Sequence, residues 1–504
     1  MVTRAHTVAF LGVKAQPVEA QPVEVQCALT PGLHAFNVVG LPDKAVSESR
    51  ERVRAALTAI GLAMPPQRIT INLSPADLPK AGSHYDLPIA LALMAALGLI
   101  PAEEIDAHVA LGELSLDGEI RAVQGALPAA IAAAAQGKGL ICPRACGCEA
   151  AWVGATEVLA PASLIDLVNH FAGRKALTPP EPGPVTARRS HADLVDVKGQ
   201  ENARRALEVA AAGGHHILMV GEPGAGKSML ASRLTGIMPP LSPEEALEVS
   251  TIYSLAAQPG DGTIFKERPY RAPHHSASMP AMIGGGRDSK PGQISLAHRG
   301  VLFLDELPEF ARPVLESLRQ PIETGEVVVA RATAHVRYPA RFLLAAAMNP
   351  CRCGYLTDPS RACSRAPRCG TDYTARLSGP LIDRFDIRIE VPPVTPDMLS
   401  LPSHGENSAK IGRRVVEARA VQTERMNGSR LTNSELEGEI LERFATPDAP
   451  GMEVLRAASE KLRFTARGYH RVLRLARTLA DLEGSDGVRK VHVAEAVGYR
   501  RALG

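Results

Sequence analysis

The chain has 504 residues, enough for about three domains of ~150 residues, and 45% of them are hydrophobic while only 4% are aromatic. With 56 Lys and Arg against 54 Asp and Glu, the net charge of +2 excludes a polycationic or polyanionic protein, so any nucleic-acid contact must come from a local surface. No N-terminal stretch reads as a signal peptide and the longest apolar run, Ile89 to Ile100 between two prolines, is too short for a bilayer, which predicts a soluble cytoplasmic protein.

Residues 1–175 read as a separate unit. Alternating apolar positions in Ile69-Thr-Ile-Asn-Leu73 predict a strand, and the Ala- and Leu-rich stretches 87–100 and 126–136 predict helices. Cys142, Cys146 and Cys148 lack an obvious fourth ligand and read as structural. Thr178-Pro-Pro-Glu-Pro-Gly-Pro184, with four prolines, marks a stiff linker inside 176–192. The apolar run Ile217–Val220 then enters Gly221-Glu222-Pro223-Gly224-Ala225-Gly226-Lys227-Ser228 and a helix-compatible segment from Met229 to Leu234. This is G-x-x-x-x-G-K-[ST] in its strand–loop–helix setting. Glycine-rich backbone there lets successive N–H groups close around a polyphosphate, and the helix that follows offers the positive end of its dipole. Lys227 suits the β- and γ-phosphates of ATP, and Ser228 suits Mg²⁺.

Met279 to Gln293, containing Gly284-Gly-Gly-Arg287 and Lys290, reads as a mobile loop. Val301-Leu-Phe-Leu-Asp305-Glu306 reads as a buried parallel strand with two carboxylates at its C-terminal end, where open α/β sheets place their ligands. Asp305 suits Mg²⁺, and Glu306 suits a base that orients an attacking water. Glu326 to Arg337 reads as a β-hairpin offering Arg331, His335 and Arg337; packing and solvation are the plainer use of those side chains. Phe342 to Met348 predicts another buried strand, ending at Asn349.

Cys351, Cys353, Cys363 and Cys369 fall within nineteen residues, in a loop rich in Gly, Pro and Arg. Four thiolates at such spacing suit a tetrahedral zinc site, although C-x-C is less usual than C-x-x-C, and metal-free thiols are the alternative. A polar stretch from Leu399 to Ser408 precedes a C-terminal segment of helical periodicity. There Arg467, Arg471 and Arg474 stand at i, i+4 and i+7 on one helical face, ordinarily a solvated one.

Several of these stretches together resemble the magnesium-chelatase-like branch of the AAA+ ATPases. They are Asp196-Val-Lys-Gly-Gln200, Arg271-Ala-Pro-His-His275, Ala297 to Leu307, Tyr338-Pro-Ala-Arg-Phe342 and Leu381-Ile-Asp-Arg-Phe385. Across all three segments, in order, the chain resembles the ComM/YifB family. The resemblance implies an α/β protein: a Lon-protease-like α+β domain (1–175), a Pro-rich linker (176–192), a AAA+ P-loop core with a parallel sheet (193–398) and a C-terminal helical lid (399–504). It further implies an ATP-hydrolysing homo-hexamer that assembles with ATP and promotes branch migration on single-stranded or branched DNA, during homologous recombination and natural transformation. A chelatase- or chaperone-type motor acting on a protein client is the competing expectation.

By the same resemblance, Asn349 helps position the attacking water, Arg384 is an arginine finger for a neighbouring subunit, and Arg467 is a second sensor that touches the γ-phosphate from the lid. The hairpin and the loop would line the ring's channel, where Arg331, His335 and Arg337 would track a phosphate backbone. Plainer alternatives are Asn349 capping the turn before Pro350, and Arg384 pairing with Asp383 or Asp386. Proteases of the Lon fold need a Ser-Lys dyad. The aligned positions here are His84, beside Ser83, and Leu127, so the domain is expected to be a scaffold without a base to activate a hydroxyl.

Overall fold

The computed structural model describes residues 2–11, 19–78, 80–183, 192–256, 264–285, 290–330, 335–356, 358, 360–395, 398, 400 and 405–500. Two sheets organise them. The first is built from β1 (Val2–Leu11), β2 (Glu19–Thr30), β3 (Ala35–Val39), β4 (Arg68–Ser74), β5 (His108–Ala110), β8 (Gly139–Ile141) and β9 (Val158–Leu159) in the order β3-β4-β2-β1-β5-β8-β9. A small ribbon of β6 (Glu113–Leu114) and β7 (Ile120–Arg121) stands apart from it.

Alternation decides burial in this sheet: Ile69, Ile71 and Leu73 of β4 point into the core, while Arg68 is exposed. The helix Asp86–Ala96 is apolar on every side and accordingly lies inside the domain, with Leu87, Ile89, Leu91 and Leu93 all 0% exposed. The helix Ala126–Ala135 covers the other face. The strand and both helices expected here are therefore present.

The second sheet is made of β10 (Ile217–Val220), β11 (Tyr270–Arg271), β14 (Val301–Leu304), β17 (Leu343–Met348) and β18 (Ile387–Glu390), in the order β11-β14-β17-β10-β18. Every neighbouring pair is parallel. The sequences Ile-Leu-Met-Val, Val-Leu-Phe-Leu and Leu-Leu-Ala-Ala-Ala-Met have no polar positions because helices cover both faces, and each strand is buried throughout. Parallel pairing gathers all the C-terminal ends at one edge and all the N-terminal ends at the other.

Five helices, Ser408–Arg425, Gly438–Ala445, Ala449–Leu462, Ala466–Glu483 and Lys490–Gly498, form the C-terminal region. Ile411, Val415, Leu473 and Leu479 share one apolar cluster with Leu234 and Ile389 of the sheet layer, so this region is packed onto the core. The amphipathic helix Ala466–Glu483 is capped by Thr465, whose Oγ1 accepts from Gly468 N at 3.1 Å, and stops at Gly484 with φ 72°.

The stretch expected to be a mobile loop instead contains the helix Met279–Ile283 and a ribbon of β12 (Gly284–Gly285) with β13 (Lys290–Pro291). Met282 is fully buried, as is Ile294 just past the stretch; residues 286–289, Arg287 among them, lie outside the described residues. The expected hairpin is present as β15 (Glu326–Ala330) and β16 (His335–Pro339), with Val328 opposite Arg337. No helix among the described residues is long and apolar enough to cross a membrane.

Candidate nucleotide site and the cavity behind it

At the C-terminal edge, β10 ends at Val220 and the backbone turns through Gly221 to Gly226 into the helix Lys227–Ile237. The turn needs its glycines. Gly224 and Gly226 have φ of 80° and 91°, and a Cβ on Gly221 would stand 2.2 Å from the Val391 carbonyl oxygen. The loop curls around Lys227, whose ammonium donates to Gly221 O at 2.7 Å, Glu222 O at 2.9 Å and Asn349 Oδ1 at 3.1 Å. All three of its N–H bonds are thereby used. Burial pulls the Lys227 pKa below its ordinary value, against the opposing pull of Asp305 and Glu306.

Asp305 and Glu306 follow β14 directly. Ser228 Oγ donates to Asp305 Oδ2 at 2.5 Å, and Asp305 Oδ1 accepts from Glu306 N at 2.9 Å. Glu306 has φ 51°, a left-handed conformation rare for a residue with a Cβ, and half of its side chain is exposed. Its carboxylate meets His275 Nδ1 at 3.3 Å. The sheet order β14-β17-β10 thus brings Lys227, Ser228, Asp305, Glu306 and Asn349 to one edge, as their separate motifs anticipated. The serine hydroxyl and the Asp305 carboxylate form a pair of hard oxygens at hydrogen-bond distance, the donor chemistry that Mg²⁺ takes.

Sequence reasoning gave no role to three neighbours. His275 reaches Glu306 and was visible only as part of a motif. Arg361 Nη2 donates to Glu222 Oε2 at 2.9 Å, tying the cysteine loop to the P-loop. A Cβ on Gly354, in the same loop, would strike Pro223 at 2.6 Å.

In that loop the sulfurs of Cys351, Cys353 and Cys369 all lie within 4.8 Å of one another, with Cys351 and Cys353 3.0 Å apart. Cys363 is in hydrogen-bonding reach of Cys353 and Cys369. The hydrogen bond from Cys351, aided by backbone N–H groups, holds the Cys353 thiol down to about 6, favouring the thiolate a metal requires. Three sulfurs thus converge as zinc ligands would, and Cys363 stands outside that group of three.

The two arginines go elsewhere. Arg384 and Arg467 line a cavity of about 850 Å³ between the sheet and the C-terminal helices. Its walls include His216, Gly300, Leu343 and Asp386, the residues at or just before the starts of β10, β14, β17 and β18. The cavity therefore sits at the N-terminal edge, separated from the P-loop by the length of four-residue β10, about 13 Å at 3.3 Å per residue. The expectation that Arg467 reaches a phosphate from the lid is corrected for the chain's own P-loop: the face carrying Arg467, Arg471 and Arg474 is turned to the opposite edge.

Among the described residues, nine arginines and five carboxylates line this cavity. Arg471 pairs with Asp386 at 3.1 Å and Arg474 with Glu437 at 3.4 Å, while Arg467 makes no hydrogen bond or ion pair among the described residues. Burial opposes ionisation of Asp386, yet the close approach of His215, Nδ1 at 3.4 Å, and the charge of Arg471 hold its carboxyl well below the usual range. Arg384 pairs with neither Asp383 nor Asp386. Its Nη2 donates to Glu323 Oε1 and its Nη1 to Pro380 O at 2.6 Å.

On the hairpin, Arg337 is half-exposed and stands 3.8 Å from Glu326. Arg331 and the His335 side chain lie outside the described residues. Val327, Val329, Val336 and Tyr338 are buried, so one face of the hairpin packs on the core, and Phe10 of β1 packs against that same cluster. In the N-terminal domain, Ser83 Oγ donates to Glu113, His84 Nε2 lies 2.9 Å from Val8 O, and Leu127 is buried at the start of its helix.

Family profiles match three spans: "Magnesium chelatase, subunit ChlI" over residues 193–399, "Subunit ChlI of Mg-chelatase" over 23–146, and "Magnesium chelatase, subunit ChlI C-terminal" over 405–500. The chain is 43% identical to protein YifB of Escherichia coli over 98% of its own length and 96% of the relative's. It is 42% identical to the competence protein ComM of Haemophilus influenzae, covering 96% and 95%. It is 26% identical to the magnesium-chelatase 38 kDa subunit of Rhodobacter capsulatus over 59% of this chain and 83% of that one.

Proposed function

This chain belongs to the ComM/YifB family of magnesium-chelatase-like AAA+ proteins, and from that premise we propose that it is an ATP-hydrolysing motor that promotes branch migration of DNA. The convergence of Lys227, Ser228, Asp305 and Asn349 at one sheet edge carries the hydrolytic half of the reading. Gly221, Glu222, Pro223, Gly224, Ala225 and Gly226 wrap the phosphates with backbone N–H groups. Lys227 trades the carbonyls of Gly221 and Glu222 for phosphate oxygens. Ser228 and Asp305 hold Mg²⁺, which supplies positive charge against the phosphates. Glu306, on its strained turn, accepts a proton from the attacking water, and Asn349 orients that water while staying hydrogen-bonded to Lys227.

The separation of Arg384 and Arg467 from the P-loop supports a homo-hexameric ring, assembled with ATP, in which one chain's arginine-lined edge faces the next chain's phosphates. The proposed division is 1–175, a linker 176–192, 193–398 and 399–504; matched spans of 23–146, 193–399 and 405–500 support three units in that order. The cysteine loop holds zinc and braces the P-loop through Gly354 and Arg361. The N-terminal domain serves as a scaffold in the cytoplasm, because a buried leucine occupies the place of the dyad lysine; ATP-dependent casein cleavage sensitive to Ser83→Ala would overturn that.

DNA is proposed as the substrate on two grounds: the competence name of a relative aligned almost end to end, and the exposed Arg337 on a hairpin whose other face is anchored. The test is a fluorescent three-way or four-way junction. Replacing Arg331 and Arg337 with Ala is expected to spare DNA-free ATPase activity, to reduce junction binding and unwinding, and to flatten the fall of affinity with salt. A ring that hydrolyses ATP yet neither binds nor remodels any junction at low salt would favour a protein client, the reading suggested by the chelatase subunit.

A further inference from the structure

An arginine finger must reach a phosphate outside its own chain, yet Arg384 is only 4% exposed. Its Nη1 is committed to Pro380 O at 2.6 Å, its Nη2 to Glu323, and its Nε is buried without a partner. The acids of its own motif are already engaged. Asp383 lies 3.4 Å from Arg500 and 3.7 Å from Arg388, and Asp386 lies 3.1 Å from Arg471. Glu323 is therefore the carboxylate that holds the guanidinium inside the cavity. It is itself about half exposed, at 53%, so the pair is open to competition from a more highly charged anion.

Glu323 also has a particular place in the chain. It is the penultimate residue of the short helix Arg319–Thr324, followed by Gly325 in the left-handed region (φ 69°) and then by β15 of the hairpin. Gly325 N donates to Pro321 O at 2.9 Å and Gly325 O accepts from Ala340 N at 2.7 Å, so this glycine joins the helix end to both hairpin strands. Only Thr324 and Gly325 separate Glu323 from the first hairpin strand.

We propose that Glu323 is a positioning residue that latches Arg384 away from the neighbouring chain's phosphates, and that the hairpin releases the latch when DNA engages it. This rests on the motor reading above. In the latched state the guanidinium is paired to a carboxylate of its own chain. In the released state the same donors turn to the transferred phosphoryl group, so that one charge-assisted contact to Glu323 and one to the Pro380 carbonyl give way to a two-pronged contact with phosphate oxygens.

The experiment uses the full chain at concentrations where it is assembled. Glu323→Gln keeps the side-chain shape and removes the charge, Glu323→Ala removes the partner altogether, and Glu323→Asp is the conservative rescue. ATPase kcat and KM are measured separately, without DNA and with junction DNA. The expected result is a DNA-free kcat raised by about three- to tenfold in the Gln and Ala variants, the scale of a population shift of a latched majority. KM is expected to hold, the ratio of DNA-stimulated to DNA-free kcat to fall toward one, and the Asp variant to behave as the parent chain. A DNA-free kcat at or below that of the parent in both variants overturns the latch, because Glu323 would then be supporting a productive Arg384. If DNA fails to stimulate the parent chain, the DNA reading fails, while the DNA-free kcat of the variants still decides the latch.

Discussion

At the C-terminal edge of the central sheet, a glycine loop, one lysine and two carboxylates converge, Lys227 bonded to the loop and Ser228 to Asp305. At the N-terminal edge, nine arginines among the described residues surround an 850 Å³ cavity. Among the described residues, the guanidinium of Arg361 beside the first edge is tied to Glu222 and Asp358, and the second edge has no glycine loop of the kind that holds a nucleotide. Within one chain the two edges stay apart by the length of the strands, of which β10, β14 and β17 are buried throughout. The contrast bears on the proposed ring: on that reading each chain carries two half-sites of complementary charge at opposite edges, which a head-to-tail contact between copies would complete.

The sharpest way to break this comparison is to remove the arginine. Arg384→Ala is expected to lower kcat of the assembled protein by about 10³-fold or more, the worth of an arginine finger, while leaving nucleotide binding intact. Mixed with Lys227→Ala chains, it is expected to recover part of the activity, since each chain brings the half the other lacks. Well-assembled mixtures with no recovery would place both halves within one chain.

Glu306→Gln sharpens the other side. It keeps the shape of the C-terminal edge and removes its base, so kcat is expected to fall by about 10²–10³-fold with ATP still bound. Lys227→Ala, by contrast, is expected to lose binding itself. Titration with a fluorescent nucleotide analogue separates the two, and wild-type turnover by Glu306→Gln would refute the assignment of the base.

The smallest effect is expected from the cysteine loop, which supports the nucleotide edge from outside. Elemental analysis of protein purified without added metal is expected to find one zinc per chain. Stripping it is expected to weaken nucleotide affinity by about tenfold or less, as loss of a supporting shell does, because Gly354 and Arg361 act through Pro223 and Glu222. A metal ratio near zero under reducing conditions would leave four plain thiols.

How much of this was legible beforehand follows from the range of the interactions involved. Lys227, Ser228 and Asp305 could be read from short motifs, since phosphate and cation binding constrain neighbouring residues on one loop or one strand end. Arg384 and Arg467 could be recognised by resemblance, but not their surroundings: nothing local in Asp383-Arg-Phe-Asp386 says that both aspartates are taken by Arg388, Arg471 and Arg500. The stretch 279–293 looked like loop because its glycines are conspicuous, whereas its described part carries the helix Met279–Ile283, held by Met282 buried among distant residues.

By itself, then, the sequence determined the strands, the glycine loop and the acidic strand end, because apolar runs and short-range phosphate chemistry are written into consecutive residues. Which edge each charged side chain occupies was decided only in the tertiary structure. Parallel pairing in the order β11-β14-β17-β10-β18 sends every strand end to one side and every strand start to the other. The C-terminal helices pack at the starts, carrying Arg467 with them. Glu323 meets Arg384 across 61 residues of chain, a pairing that no local pattern encodes.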